Sequence, residues 1–321
     1  MSDAPALPRS AHAGPSAAHS GDGGSPWAPR GSGARWVPAI FVLNLVCQIG
    51  IIVTGGLVRL TGSGLGCPTW PQCVPGSYTP TRETATSFHP YIEFGNRTLT
   101  GVLAIAAIAL LWAVYRPLAH RVGFRLPAWL LLAGIALQAI VGGISVRVDL
   151  NPFVVSLHFV ISAALVAVSG YLVHRLHEGD DAPAPTVPPV VARVAWATAA
   201  LAGVIVVLGT FVTGSGPHSG DAAKPQRNGL DPRMISWLHA DAVMLFVGLA
   251  VAVWLACVLT RKAGRPARAW AIVLGVTALQ GVLGYVQFFT GLPAVIVLAH
   301  MLLAALFVLA VTNGVLSLRR R

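Results

Sequence analysis

Three histidines lie inside apolar runs at spacings that repeat. His300 sits in TGLPAVIVLAHMLLAALFVLAVT, residues 290–312, and His158 in NPFVVSLHFVISAALVAVSGYLV, residues 151–173, each several residues after a proline. His239 is the third, in the stretch WLHAD. An imidazole at membrane depth is costly unless something there uses it. Two imidazoles on the second and fourth helices of a four-helix bundle suit a flat metal macrocycle, one ring nitrogen to each face of the iron. Zinc would want three or four close ligands, usually including a carboxylate or thiolate. Further polar groups stand nearby: Glu93, Asn96 and Arg97 at the opening of an apolar segment, and His89 just before Pro90. Glu93 and Arg97 are four apart and can pair along one helical face. Arg59, Arg147 and Arg233 fall near the same ends of their segments, where they can meet the propionates of a haem.

The elements that must position these groups are membrane helices. Of 321 residues 55% are hydrophobic and only 10% charged, the composition of an all-α integral membrane protein. Spans are expected at about 36–58, 93–115, 127–146, 153–173, 190–213, 234–259, 268–289 and 293–316, each near the roughly 20 residues a bilayer requires. They leave no room for a sizeable soluble domain. Residues 1–35, rich in Ser, Gly, Pro, Ala and His, are expected to be a disordered cytoplasmic tail, and His12 and His19 are given no metal role.

The chain then repeats itself. TGSG at 61–64 returns at 213–216, and ALQAIVGGISV at 136–146 returns as ALQGVLGYVQF at 278–288. The interval from Gln138 to His158 equals that from Gln280 to His300. Two pseudo-symmetric four-helix bundles are therefore expected, 36–174 and 190–317, joined by a cytoplasmic linker at 175–189. An even number of spans per half makes the repeat parallel. The place of His239 in the second half falls on Asn96 or Arg97 in the first. His158, His239 and His300 are expected at one depth.

The net charge of +11 is topological and needs no nucleic acid to explain it. Fifteen of the 22 Lys and Arg residues fall in segments on one side when the N-terminus is inside: Arg9, Arg30, Arg35, Arg116, Arg121, Arg125, Arg175, Arg193, Arg261, Lys262, Arg265, Arg268 and Arg319 to Arg321. Both termini are thus expected in the cytoplasm, with anionic lipid as a secondary contact. His120, His174 and His177 are expected in solvated inner loops, and His218 is given no role. Cys47 and Cys257 lie within spans. Cys67 and Cys73 share the first outer loop, where a disulfide, a zinc half-site and a redox-active dithiol are the alternatives.

TGGLVRLTGSGLGCPTWPQC, IEFGNR, ALQAIVGG, SLHFVISAAL, WLHAD and LAHMLLAAL, in this order, resemble haem A synthases over nearly all of residues 40–316. The resemblance implies an enzyme of the plasma (inner) membrane that oxidises a methyl group of haem O to a formyl group for cytochrome oxidase. It implies haem b held in the C-terminal bundle by His239 and His300. Substrate haem O would be held in the N-terminal bundle, with His158 as iron ligand and Glu93 as the essential carboxylate. It also implies a Cys67–Cys73 disulfide. The family pattern has a second histidine three residues after the carboxylate; Asn96 stands there in this chain, so His158 is expected to act alone or with His89 as a reversible partner. Partners implied by the substrate are the enzyme that makes haem O and an electron donor; oligomerisation is compatible. The competing readings are a haem b protein that only carries electrons, which would saturate both irons, and a transporter using the histidines as a proton path.

Overall fold

The chain is described from a computed structural model that covers residues 35–81, 87–221, 223–260 and 264–321. The tail expected over 1–35, apart from Arg35, lies outside the described residues, as do Arg261 and Lys262. Among the described residues eight helices are long and apolar enough to cross a membrane: α1 (Trp36–Leu60), α2 (His89–Tyr115), α3 (Arg125–Arg147), α4 (Pro152–Leu176), α5 (Pro189–Ser215), α6 (Pro232–Leu259), α7 (Gly264–Phe289) and α8 (Ala294–Leu316). Helix is the form that satisfies every backbone N–H and C=O within one segment when water is absent. α2, α3, α6 and α7 start two to four residues before the apolar runs suggest, and side chains cap the starts of α4 and α6. Asn151 accepts from the Phe153 amide at 3.0 Å and Asp231 from the Met234 amide at 2.7 Å, each followed by a proline that opens its helix.

Within each half the four helices form a ring in chain order, α1 to α4 and α5 to α8, so that α2 faces α4 and α6 faces α8 across the two diagonals. Buried positions keep register between the halves. Ala128, Leu131 and Ile135 of α3 stand at the same intervals as Trp270, Val273 and Thr277 of α7. Leu103, Ala107, Leu110 and Val114 of α2 do likewise with Phe246, Ala250, Val253 and Cys257 of α6, and that registration gives Asn96 the place of His239. The bundles meet along α1, α4, α5 and α8. Lipid tails are as apolar as leucine, so helix contact depends on close fit. A Cβ on Gly56 would come 2.8 Å from Met301 Sδ, and one on Gly170 2.6 Å from Leu309 Cδ1.

At the end carrying Trp36 and the C-terminus, called the inner end after the expected orientation, the halves are tied by charge. The expected loop residue His174 instead lies buried in the last turn of α4, its Nδ1 3.1 Å from Asn313 Oδ1 and its Nε2 3.3 Å from Arg265. The helix continues past the apolar run because this network receives its polar end. His120 and His177 are exposed, as expected. Arg121 donates to Asp180 at 2.7 Å and to the Glu178 carbonyl at 2.8 Å. Arg175 donates to the Glu178 carboxylate at 3.0 Å. The linker is therefore pinned, and two residues of it, Ala184–Pro185, pair antiparallel with Arg319–Arg320.

Burial alone would push the Glu178 carboxyl up, but the hydrogen bond from Arg175 and the approach of His174 and Arg319 outweigh it and hold the group at about 2. A carboxyl depressed on folding stabilises the fold above its ordinary range, and that contribution is lost as pH falls from about 4.5 towards about 2. Glu178→Gln should lower the thermal stability of detergent-solubilised protein at pH 7 by about 3 kcal/mol. The gap to wild type should close on acidification through that window; a pH-independent gap contradicts the network.

Candidate functional site

Each of the three membrane histidines is placed by the same device. The ring of His158 packs on α3 at Gly142, where a Cβ would stand 3.3 Å from its Cε1. His300 packs on α7 at Gly284 (3.4 Å) and His239 on α5 at Gly209 (3.3 Å). A carboxamide braces two of them from the neighbouring helix: Gln138 Nε2 donates to the His158 carbonyl at 2.8 Å, and Gln280 Nε2 to the His300 carbonyl at 3.1 Å. These bonds explain why the Gln-to-His interval is identical in both halves. Nδ1 of all three rings is buried with no hydrogen-bond partner among the described residues. A buried polar atom without a partner is costly and needs an explanation.

Depth is matched as expected. His158 lies six residues past Pro152, His300 six past Ala294 and His239 seven past Pro232, about 10 Å along each helix. His239 and His300 stand on diagonal helices of one bundle and are close enough to be electrostatic neighbours. No group of three or more His, Cys, Asp and Glu side chains converges among the described residues. A compact ion such as zinc would need such a group, whereas a macrocycle brings four nitrogens of its own and asks the protein for one or two axial ligands. The donor set therefore fits a haem.

In the first bundle the partner helix of His158 is α2, and its polar side chains are engaged elsewhere. Asn96 Oδ1 accepts from Thr54 Oγ1 on α1 at 2.8 Å. Glu93 and Arg97 pair, as their spacing predicts, and together grip the outer loop. Glu93 Oε2 accepts from the Cys67 amide at 2.7 Å, while Arg97 donates to the carbonyls of Cys67 and Thr69, each at 2.8 Å. Cys67 and Cys73 are joined by a disulfide. Between them Trp70 lies flat against Gly143, the residue after the glycine that receives His158, in contact with the position a Cβ would take. The clamped loop thus caps the outer end of the first bundle beside His158.

Trp70 was not singled out by its sequence context. Its signal is the pair Gly142 and Gly143: the first admits an imidazole and the second an indole. The second half keeps the first glycine as Gly284 but has Tyr285 next.

The remaining residues hold the cap. Arg147 stacks over Trp70 at 5.8 Å and donates to its carbonyl at 3.3 Å. His89 opens α2, and its Nδ1 lies 2.8 Å from Ser63 Oγ of the first TGSG turn. Arg59 crosses to the second half, donating to the carbonyls of His218 and Thr213, the latter at 2.6 Å. Gly64 donates to the Gly220 carbonyl at 2.8 Å beside it. Arg233 is exposed at the start of α6, six residues before His239.

If Arg97 is the clamp, Arg97→Ala leaves Glu93 buried without its counter-charge and frees two loop carbonyls at once. Thermal stability should fall by about 3 kcal/mol, and amide exchange at Thr69 to Gln72 should quicken. Arg97→Lys, which cannot fork, should recover only part of the loss. Unchanged exchange in the alanine variant excludes the clamp.

Comparison with known proteins bears on the same elements. The chain is 31% identical over 140 residues to the heme A synthase of Oceanobacillus iheyensis, a stretch covering 43% of this chain and 44% of that protein. It is 32% identical over 152 residues to that of Lysinibacillus sphaericus (46% and 48%) and 32% identical over 131 residues to that of an Exiguobacterium species (40% and 42%). The aligned stretches span less than half the length of each relative. The family profile reaches much further, from 38 to 313, and so takes in all three histidines, the clamped loop and both glutamine braces. The chain belongs to the COX15-CtaA family of cytochrome oxidase assembly proteins.

Proposed function

We propose that the protein is a haem A synthase, which oxidises a methyl substituent of haem O to a formyl group within the membrane. The observation that carries this reading is an asymmetry between two otherwise matched bundles. The second presents two imidazoles across its diagonal; the first presents one, with a carboxylate on the opposite helix.

His239 and His300 are assigned as the residues that would hold a resident haem b, and Arg233 as the cation that would meet its propionates. Bound there, haem b would supply one-electron transfer. His158 is assigned as the protein ligand of substrate haem O, which leaves the other face of that iron reachable. Asn96 has neither the basicity of an imidazole nor, while it accepts from Thr54, a free orientation towards the bundle centre.

Glu93 is assigned as the catalytic carboxylate. In the closed loop its oxygens are held by Arg97 and the Cys67 amide, which keeps the anion in place beside the first bundle. There it can take a proton from the oxidised carbon or steady positive charge that develops on it. The Cys67–Cys73 loop and Trp70 exclude bulk water from above His158. His89, Arg97, Arg59 and Arg147 are assigned to the outer rim of that site, where the propionates of haem O would lie. The domain division follows: a substrate bundle at 36–174, a linker at 175–189 and a haem b bundle at 190–317.

Sequence bias in Lys and Arg supports an inner-membrane orientation with both termini in the cytoplasm. Haem O is insoluble in water and reactive, which supports direct transfer from the enzyme that makes it and use of a separate electron donor.

Expression in cells that make haem O tests the reading through the extracted pigment: haem A supports the enzyme, haem b alone an electron carrier, and no haem a transporter. Glu93→Gln should leave haem b bound and reduce haem A formation by about a hundredfold. His300→Ala should abolish the haem b absorption of the purified protein. Normal haem A output from the first variant, or an unchanged spectrum from the second, overturns the assignment.

A further inference from the structure

The inner end of the second half carries more positive charge than its own contacts use. Around the linker stand six guanidinium groups, Arg121, Arg175, Arg193, Arg319, Arg320 and Arg321, against three carboxylates, Glu178, Asp180 and Asp181. Arg121 and Arg175 take up Asp180, and Glu178 is shared between Arg175 and Arg319, the latter 3.7 Å away. Arg193 and Arg320 are exposed, and their side chains have no hydrogen-bond or ion-pair partner among the described residues. Nε and Nη2 of Arg319 and Nε of Arg321 are buried without a hydrogen-bond partner. A buried guanidinium nitrogen that lacks an acceptor is costly, so these groups call for an anion.

Beside them is a cavity of about 230 Å³, lined by Pro185 of the linker, Ala192 and Trp196 of α5, Val315 of α8, and Leu318 and Arg319 after it. Arg319 is the one charged side chain in that lining. An apolar cavity of ~150 Å³ already takes up benzene, so this one has room for several methylenes. A second cavity of about 380 Å³ is lined by Asp181, Arg320 and Arg321. α5 has 27 residues, about 40 Å of helix, against a hydrocarbon layer of about 30 Å. From its start at Pro189, Ala192 lies ~5 Å and Trp196 ~10 Å along the axis. The first is therefore at headgroup level and the second just inside the hydrocarbon edge. Trp196 is 64% exposed, as an indole at a membrane interface is expected to be. α5 also opens without a side-chain cap, which leaves its positive end unanswered. The matching end of the first half is filled instead, by Val37, Phe41, Phe124, Leu172 and Leu176 at 0–1% exposure.

We infer that this cavity seats one anionic phospholipid. Its phosphodiester accepts hydrogen bonds from Arg319 and Arg320, with Arg193 on the flank, and one acyl chain runs along Ala192, Trp196 and Val315 into the membrane. Basic pockets between membrane helices at headgroup level are places where such lipids bind. Two features favour a lipid over a free phosphate: an inorganic ion has no use for the apolar lining, and the indole stands where acyl chains begin. A zwitterionic lipid brings a cation of its own towards the same guanidinium groups and is disfavoured. The bound lipid touches the linker at Pro185, the start of α5 and the segment after α8 at once, and so fastens the linker to the second half. The site is independent of which haem each bundle holds.

Native mass spectrometry of the full chain, released from nanodiscs of equal dioleoylphosphatidylglycerol and dioleoylphosphatidylcholine, tests this. The wild type should retain one phosphatidylglycerol about tenfold more often than phosphatidylcholine. Arg193→Gln combined with Arg320→Gln leaves the ion pairs of Glu178 and Asp180 in place and should remove most of that preference. Ala192→Phe keeps every charge but fills the cavity, and it should lower retention about as far. Diffuse attraction to a basic surface would not respond to it, so full retention by Ala192→Phe contradicts a seated lipid. Helical circular dichroism should be unchanged in both variants. Equal retention of the two lipids by the wild type overturns the inference without recourse to any variant. Displacement of the lipid by excess inorganic phosphate also overturns it, because the site would then be one for a free anion.

Discussion

A histidine ring in hydrocarbon must be given both room and a use, and the room here comes from removing a side chain on the facing helix. Gly142, Gly209 and Gly284 each leave a notch that a Cβ would close, and one imidazole enters each. Without these notches the helices would have to spread, and in lipid there is little hydrophobic force to pull them together again. The rest of the bundle follows from that fit. The glutamine braces fix the backbone of the helix that carries the ring, and the matched depth follows from helix starts that lie six or seven residues before each histidine. The apolar cores below, such as Trp270 with Phe246 and Phe307 in the second half, fill the space that the polar upper level cannot.

The two halves share one frame, and the polar residues at matched places differ. In the second, the diagonal is closed by imidazoles from α6 and α8. In the first, the residue in His239's place is Asn96, whose side-chain oxygen is bonded to α1. The carboxylate three residues before it is occupied by the Cys67–Cys73 loop, whereas the segment between α5 and α6 contains no cysteine. That loop is a lid held from below by charge and from within by a disulfide, with Trp70 seated on the adjacent glycine.

Much of this is legible in the sequence because membrane helices and duplication both write themselves in spacing. Eight apolar runs give eight helices, and the equal Gln-to-His intervals correspond to equal hydrogen bonds. Glu93 and Arg97, four apart, do pair. Less legible was what the long loop does, since a fold-back contact such as Trp70 on Gly143 has no local periodicity. His174 was misplaced because hydropathy alone ends α4 where the charges begin, whereas Asn313, Glu178 and Arg265 receive it inside the protein. Arg59 is a similar case: its distance from the second TGSG turn in sequence hides the carbonyls it reaches in space.

The central claim is that one bundle closes its iron with two imidazoles while the other leaves one face open. Carbon monoxide binding to the reduced protein carrying both haems tests it most directly, because the gas needs a vacant or weakly held axial position. The account predicts that one of the two haems binds it and that the other, held by His239 and His300, does not. Binding at both irons, or at neither, contradicts it.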